Sequence, residues 1–310
     1  MKYIFVIKGD THHEAARQEL SRRLQTVEEE LLSRGDTYEI YVTKGVGDGA
    51  RYTRIYCDLH PAEKVCFVAC GHDGMVNEVA SGLVGFEKKL MALQTFEGDN
   101  CDFARYYPQY DFSDIRAVFQ SQAEPIDILR INDSYSLNVC DFGFDSIVGE
   151  VAAMRIERGK KKPFETGILW ALLLGRFNQI TVIADGERLC RWLLLGTLAN
   201  GSHVGNGFKC APRAQNNDGI IDVCCIKIMT LLRFFLIMSI YKRGEHLDKK
   251  SFARKLVYRR ARHVEITSSF PISLCLDGEM LPGTQFTVDI LPKAINFCLP
   301  KREETVNGER

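Results

Sequence analysis

Late in the first third of the chain, Gly71-His72-Asp73-Gly74-Met75-Val76-Asn77-Glu78-Val79 places glycines on either side of an aspartate. The residues before it, Lys64 to Cys70, are β-branched and aromatic and read as a strand, and Val76 to Val84 read as a helix ended by Gly85. Such a strand-loop-helix junction can hold a phosphate. Glycine lets the backbone approach phosphate oxygens closely, a helix start supplies N–H groups and the positive end of a dipole, and the aspartate can hold a metal ion or its waters. A plain Gly-Asp-Gly turn explains the same letters. Downstream, Asp277-Gly278 offers a second carboxylate beside a glycine, for which a hairpin turn is the structural alternative.

The surrounding pattern says what positions these residues. Tyr3 to Ile7 reads as a buried first strand, too short for a signal-peptide core and without a cleavage site. Thr11-His12-His13-Glu14 fits a capping box, and Leu20, Leu24, Val27 and Leu31 recur at helical spacing until Gly35. Tyr38 to Thr43 reads as a strand, Asp48 to Leu59 as a helix, and Leu90 to Thr95 as a strand entering a polar loop at Glu97 to Asp102. Repeated β-α-β units predict a parallel sheet with helices on both faces and ligands at the carboxyl ends of its strands.

From about residue 124 the signals become antiparallel. Ile126 to Ile131 and Ser136 to Asp141 flank Asn132-Asp133-Ser134, and Ile180 to Ala184 meets Leu189 to Leu195 across Asp185-Gly186. Strand signals return at His263 to Thr267, Ile272 to Leu276 and Phe286 to Ile290, with helices predicted at Phe164 to Asn178 and Thr230 to Leu247. The fold class predicted is α/β: residues 1–123 form an α/β domain and residues 124–310 a β-rich one, the segment from about 292 to 310 being able to pack back on the first.

Composition narrows the function classes. With 45% hydrophobic and 26% charged residues the chain is that of a soluble globular protein. Its formal net charge of zero gives no global attraction to nucleic acid or anionic membrane. Eleven cysteines, an odd number without CxxC pairing, read as reduced core residues in a cytosol. No apolar stretch approaches the roughly 20 residues that cross a bilayer.

The loop at Gly71 resembles the Gly-Gly-Asp-Gly-Thr-x-Asn-Glu-Val signature of diacylglycerol kinases, sphingosine kinases and bacterial soluble lipid kinases, with an N-terminal domain like those of NAD kinases and phosphofructokinases. Thr43-x-x-x-Gly47-Asp48 is similar to the family's adenine-side loop, and Gly98 to Arg105 to its Gly-Thr-Gly-Asn-Asp-Phe-Ala-Arg. Ile126-Asp127, Asn138-Val139, Gly143-Phe144-Asp145, Ala199-Asn200-Gly201, Gly205 to Pro212, Asp218 to Val223 and Leu276-Asp277-Gly278-Glu279 continue the series in order. The Phe-Ala-Arg and Leu-Asp-Gly-Glu matches belong to the lipid branch rather than to an NAD-kinase-like enzyme.

The resemblance implies an ATP- and Mg²⁺-dependent lipid kinase acting on diacylglycerol or a sphingoid-type lipid. It assigns Thr43, Gly71, His72, Gly74, Asn77, Gly98 and Glu279 to the nucleotide, and Asp73, Asp102, Asp127 and Asp218 to the metal. Asp277 becomes the general base and Asp73 a second catalytic carboxylate. Asn217 stands where an aspartate is common in a structural metal loop and is a weaker ligand for a hard cation. The implied setting is cytoplasmic and peripheral to the inner membrane surface, a homodimer being compatible with it and nucleic acid not a partner.

Departures cluster at the nucleotide. His72 replaces a glycine, Met75 a threonine, Asp99-Asn100-Cys101 stand for Thr-Gly-Asn, and Lys8-Gly9-Asp10 for an Asn-Pro. A positive φ at His72 would cost roughly a kcal/mol or more; His72 or Lys8 could instead meet phosphate. The alternative function is a catalytically impaired, kinase-like lipid- or nucleotide-binding protein. For membrane contact, the run from Lys242 to Arg262 and Lys160-Lys161-Lys162 are basic candidates against the plainer reading of a solvated face.

Overall fold

The computed structural model describes residues 1–10, 13–157, 179–229, 231–250 and 254–300. The chain divides into two units, 1–126 with 294–310, and 127–293.

The first unit is built on parallel strands β1 (Lys2–Lys8), β2 (Thr37–Thr43), β3 (Val65–Cys70) and β4 (Leu90–Gln94), in the order β2-β1-β3-β4. Every residue of β3 and the centre of β1 are buried, which is why both read as unbroken apolar runs rather than alternating ones. The last strand of the chain, β14 (Glu279–Leu299), starts in the second unit. Its end lies parallel beside β4, Asn296 opposite Leu90.

The segment predicted as one helix up to Gly35 is two, α1 (Glu14–Gln25) and α2 (Glu28–Ser33). The Thr26 hydroxyl and N–H both donate to the Arg23 carbonyl, at 2.7 and 3.1 Å, closing a tight turn that interrupts the helical ladder. Leu20, Leu24, Val27 and Leu31 are nevertheless all buried. Thr11 and His12 of the predicted capping box lie outside the described residues; the Asp10 carboxylate accepts the His13 N–H at 3.1 Å. The predicted helix at Asp48 is found unchanged as α3 (Asp48–Leu59), and α4 (Asp73–Leu83) starts directly in the glycine loop. Two short helices follow, α5 (Asp102–Arg105) and α6 (Ile115–Phe119).

The second unit has two strand layers that share their longest strands. One runs β12 (Leu256–Ala261), β11 (Ile221–Lys227), β10 (Leu193–Ala199), β7 (Val139–Gly143) and then the second half of β13 (His263–Leu276) with the start of β14. The other joins β9 (Glu187–Cys190), β8 (Ile180–Ala184), the first half of β13, the middle of β14, β5 (Gln122–Ile131) and β6 (Ser134–Ser136). Between Thr267 and Ile272 strand β13 bulges and exchanges β8 for β7 as neighbour, the way sandwiches turn corners. Leu129, Phe142, Leu198, Val223, Ile266, Leu274 and Val288 fill the core.

Several boundaries differ from expectation. The hairpin at Asn132 turns on Asn132-Asp133, with Ser134 already paired to Ile131. Leu189 to Leu195 divides at Arg191-Trp192 into β9 and β10, which have different partners. The predicted helix at Thr230 is α8 (Leu231–Lys242), then a single 3-10 turn at Glu245–Leu247 after Gly244 at φ 74°. A further helix, α7 (Phe144–Glu157), follows β7. The predicted helix Phe164 to Asn178 and the Lys160-Lys161-Lys162 cluster lie outside the described residues. Among those described, no helix is long and apolar enough to cross a membrane.

Candidate functional site

In the first unit, β3 ends at Gly71, whose φ of 111° is accessible to glycine at little cost, and its N–H donates to the Gln94 carbonyl at 2.9 Å. His72 follows at φ −94° and ψ 176°, ordinary extended backbone preceding α4. The expected strain at His72 is therefore absent, because the left-handed residue of this loop is the retained glycine. Met75 faces the core and is fully buried. Asn77 and Glu78 are buried on the same helix, Glu78 accepting the Gly49 N–H at the start of α3 at 2.7 Å.

Asp73 joins the two polar loops. Its carboxylate accepts the N–H groups of Asp102 at 2.8 Å and Phe103 at 2.7 Å, at the N-terminus of α5, where a negative charge is favoured. Asp102 is buried, with its carboxylate 3.2 Å from the Arg105 guanidinium. Asp73 and Asp102 are thus adjacent through one hydrogen bond.

Around the glycine loop the replaced residues form their own cluster. The His13 and His72 rings lie 5.6 Å apart, and His13 Nδ1 is 2.5 Å from the Asp10 carboxylate. Burial pushes the His72 imidazole down to about 4, with Lys8 and His13 adding to the effect, so it is neutral near pH 7. Asp99, after Gly98 at φ 86°, accepts the Phe96 N–H at 2.8 Å, and burial holds its carboxyl above the usual range.

Thr43 is buried at the end of β2, against the first loop: a Cβ on Gly9 would lie 2.2 Å from the Thr43 carbonyl oxygen. Only glycine fits at position 9. Asp48 fixes the following turn by accepting the Lys44 N–H at 2.9 Å and the Tyr41 hydroxyl at 2.8 Å, and with Arg51 these hold its carboxyl down to about 2.

In the second unit, Asp277 and Gly278 are the two-residue turn between β13 and β14, at φ 52° and 98°, so the hairpin alternative is correct as local structure. The Asp277 side chain is also buried. It accepts the Ser136 hydroxyl at 2.9 Å and the N–H groups of Leu137, Asn138 and Val139 at 2.7, 3.1 and 2.8 Å. Burial raises its carboxyl to about 6 even though these four donors pull the other way. Leu137 and Asn138 break the predicted strand because their N–H groups serve this carboxylate. Glu279 opens β14 opposite Leu276.

Asp127 is also buried and accepts the N–H groups of Gly219 and Lys293, both at 2.7 Å. Burial raises its carboxyl and the Asp218 charge adds to the effect. Asp218 itself accepts the Ile220 N–H at 3.0 Å and pairs with Arg260. Asn200, a motif residue without an assigned role above, bridges the carbonyls of Asp127 and Leu137 at 2.8 and 2.7 Å. Among the described residues of each unit, no three His, Cys, Asp or Glu side chains gather as a metal site.

Four of the nine cations between Lys242 and Arg262 are held in ion pairs. Arg243 and Lys249 pair with Glu245, Arg259 with Glu187, and Arg260 with Asp218.

A parallel α/β unit with a glycine-aspartate loop after its third strand, and a β-rich unit with a buried turn aspartate, are the two halves of a lipid-kinase architecture. Residues 11–131 match the diacylglycerol kinase catalytic domain, and residues 138–299 match the YegS C-terminal NAD kinase beta sandwich-like domain. The chain belongs to this diacylglycerol kinase catalytic-domain family. It is 27% identical over 285 residues to a probable lipid kinase YegS-like of Serratia proteamaculans, covering 88% of each chain. Identity to a diacylglycerol kinase of Bacillus subtilis is 28% over 244 residues, 76% of this chain and 78% of the other. A crystal structure of a putative diacylglycerol kinase from Bacillus anthracis superposes with a TM-score of 0.69 at 18% identity, covering 96% of both chains. Homologues and domains indicate a lipid kinase.

Proposed function

We propose that the chain transfers the γ-phosphate of ATP to the hydroxyl of a lipid such as diacylglycerol or a sphingoid-type lipid, in the cytoplasm, at the face of a membrane. The observation that carries this reading is the loop itself: Gly71 keeps the left-handed backbone while His72 takes ordinary extended geometry, so the substitution leaves the phosphate-binding path of the main chain intact. Gly71, His72, Gly74 and Asn77 would line the phosphates, with Thr43, Gly98 and Glu279 toward the rest of the nucleotide.

Asp277 is the group assigned to take the acceptor hydroxyl's proton. A carboxyl near 6 is ionised at neutral pH yet basic enough to share that proton as the oxygen attacks phosphorus. Asp73 orients the α5 loop beside the phosphate loop. The carboxylates of Asp73, Asp102, Asp127 and Asp218 are hard oxygen donors of the kind magnesium takes, and the ion would supply charge neutralisation to the phosphates.

One observation favours the alternative, a lipid- or nucleotide-binding protein with impaired turnover. Asp99 lies next to the loop: its carboxylate would be 4.0 Å from a Cβ placed on Gly71. If ionised, it would repel an anionic ligand. Mg²⁺-dependent transfer from ATP to an extracted lipid mixture separates the two. Transfer that disappears in Asp73→Asn and Asp277→Asn supports the kinase; ATP or lipid binding without transfer supports the alternative.

A further inference from the structure

The strand registers of the second unit bring several unusual side chains to one end. Strand β13 pairs Ser268 with Ile180, and β8 pairs Val182 with Cys190, so the bulge after Ser268 and the Arg191-Trp192 connection after Cys190 leave the same end of that layer. In the other layer, Leu193 pairs with Lys227, and the Lys227 N–H donates to the Lys255 carbonyl at 2.7 Å. Trp192, Lys227, Lys255 and Arg254 therefore share that end with the bulge.

The bulge carries Phe270, 74% exposed, and the connection carries Trp192, 48% exposed. Two large aromatics left in water at neighbouring corners are not needed for the core, which Ile272 and Leu193 join from the next positions. Between Ser268 and Ile272 the bulge leaves Ser269, Phe270 and Pro271 exposed. Arg191, Lys227, Arg254 and Lys255 meet no carboxylate among the described residues, whereas Arg243, Lys249, Arg259 and Arg260 are paired. Lys255 donates to the Ile228 carbonyl at 3.0 Å, which leaves its charge uncompensated.

We propose that this end of the second unit is a membrane-docking surface, on which Phe270 and Trp192 enter the interface of an anionic lipid bilayer while Arg191, Lys227, Arg254 and Lys255 contact its headgroups. Tryptophan settles at the headgroup level, phenylalanine buries its ring at the acyl boundary, and cations beside them select anionic over zwitterionic lipid. The choice of a bilayer over a protein partner rests on the lipid-kinase reading and on this charge complementarity.

Flotation of the full chain with vesicles of phosphatidylcholine, with and without phosphatidylglycerol, tests it. The proposal predicts recovery with the anionic vesicles that falls with added salt, about a tenfold or greater loss of partitioning in Phe270→Ser and in Trp192→Ser, and roughly fivefold per charge removed in Arg191→Ala and Arg254→Ala. In a Trp170→Phe background Trp192 is the sole tryptophan, and brominated phosphatidylglycerol should quench it. Equal flotation of wild type and aromatic variants, no flotation at all, or an unquenched Trp192 overturns the proposal. So does a dimer in sedimentation that these variants dissociate, since the face would then hold a second copy. The Phe270→Ser protein should keep its wild-type melting temperature, and the quenching readout needs no change at either aromatic. Transfer to a short-chain lipid below its micelle threshold separates this proposal from the kinase reading. Transfer without docking removes the surface alone, and docking without transfer removes the kinase alone.

Discussion

Asp277 and Val139 bind each other twice: the Asp277 carboxylate accepts the Val139 N–H at 2.8 Å, and the Asp277 N–H donates to the Val139 carbonyl at 3.2 Å. The turn aspartate is thereby locked to the entrance of β7, with Ser136, Leu137 and Asn138 closing the remaining sides of its carboxylate. A side chain held this way is a structural tie, and in the transfer proposed above it would serve as a pre-oriented base.

The raised carboxyl of Asp277 fixes a pH signature. Its folded value near 6 lies above the ordinary 3.8, so the folded protein binds the extra proton more tightly than the unfolded chain. The resulting stability is fully present below about pH 4 and is lost as pH rises through 6, amounting to about 3 kcal/mol at the full shift. Urea unfolding from pH 4 to 7 should show this loss in wild type and not in Asp277→Asn. In the transfer assay, kcat/KM should climb with pH through about 6 and then level.

Two histidines, the half-buried His72 and the fully buried His246, act with the opposite sign. Burial holds His72 and His246 at about 4, below the ordinary 6.5, so their neutral forms support the fold above pH 6.5 and that support is lost as pH falls through 4. Replacing His246 with glutamine should flatten the acid-side decline by up to about 3 kcal/mol, read by thermal melts across this range. An unchanged slope would place the titration elsewhere.

The loop from Gly71 to Met75 should answer to substitution in an order opposite to the one its letters suggest. Gly71→Ala places a side chain at φ 111° and should cost about 1 to 3 kcal/mol. His72→Gly relieves no strain and should cost about 0.5 to 1 kcal/mol through the greater freedom of the unfolded chain. Met75→Thr empties a fully buried site and should cost about 2 kcal/mol or more. Chemical denaturation of the three variants gives the ranking.

Gly9→Ala should be among the most damaging single-methyl changes in the first unit. Its Cβ would meet a backbone oxygen at 2.2 Å, which cannot rotate away as a side chain would. A loss of about 2 kcal/mol or more in unfolding free energy is expected, together with weaker ATP binding, since Thr43 must move.

Most of the first unit was legible because its central strands are buried on both faces. Runs such as Val65–Cys70 and Leu90–Gln94 show themselves by composition alone, and α3 coincided with its predicted limits. The interrupted helix at Thr26 was not legible, because Leu20, Leu24, Val27 and Leu31 keep a helical spacing across the break. In the second unit the partners are chosen across long separations. Leu137 gives its N–H to a carboxylate 140 residues away, so nothing local to Ser136–Asp141 announces that its strand must break. The exchange of neighbours along β13 is similarly hidden, since one continuous strand signal serves two layers.

Site residues divided the same way. Gly71, Asp73 and Asp277 stood out by type and order, and the structure gives each a definite local task. Asn200 was visible only as a letter in a motif until its amide was seen to bridge two carbonyls. Pairing within the basic run was not legible because it is long-range: Glu187 and Asp218 lie far from Arg259 and Arg260 in the chain yet pair with them.

The most direct test is transfer of radiolabelled γ-phosphate from Mg²⁺-ATP to chloroform-extractable lipid, run with wild type and with Asp277→Asn. The account predicts a labelled lipid with wild type and at least a hundredfold slower labelling with Asp277→Asn, about 2.7 kcal/mol in the barrier. No labelled lipid from the wild-type protein, or equal labelling by both, would contradict it.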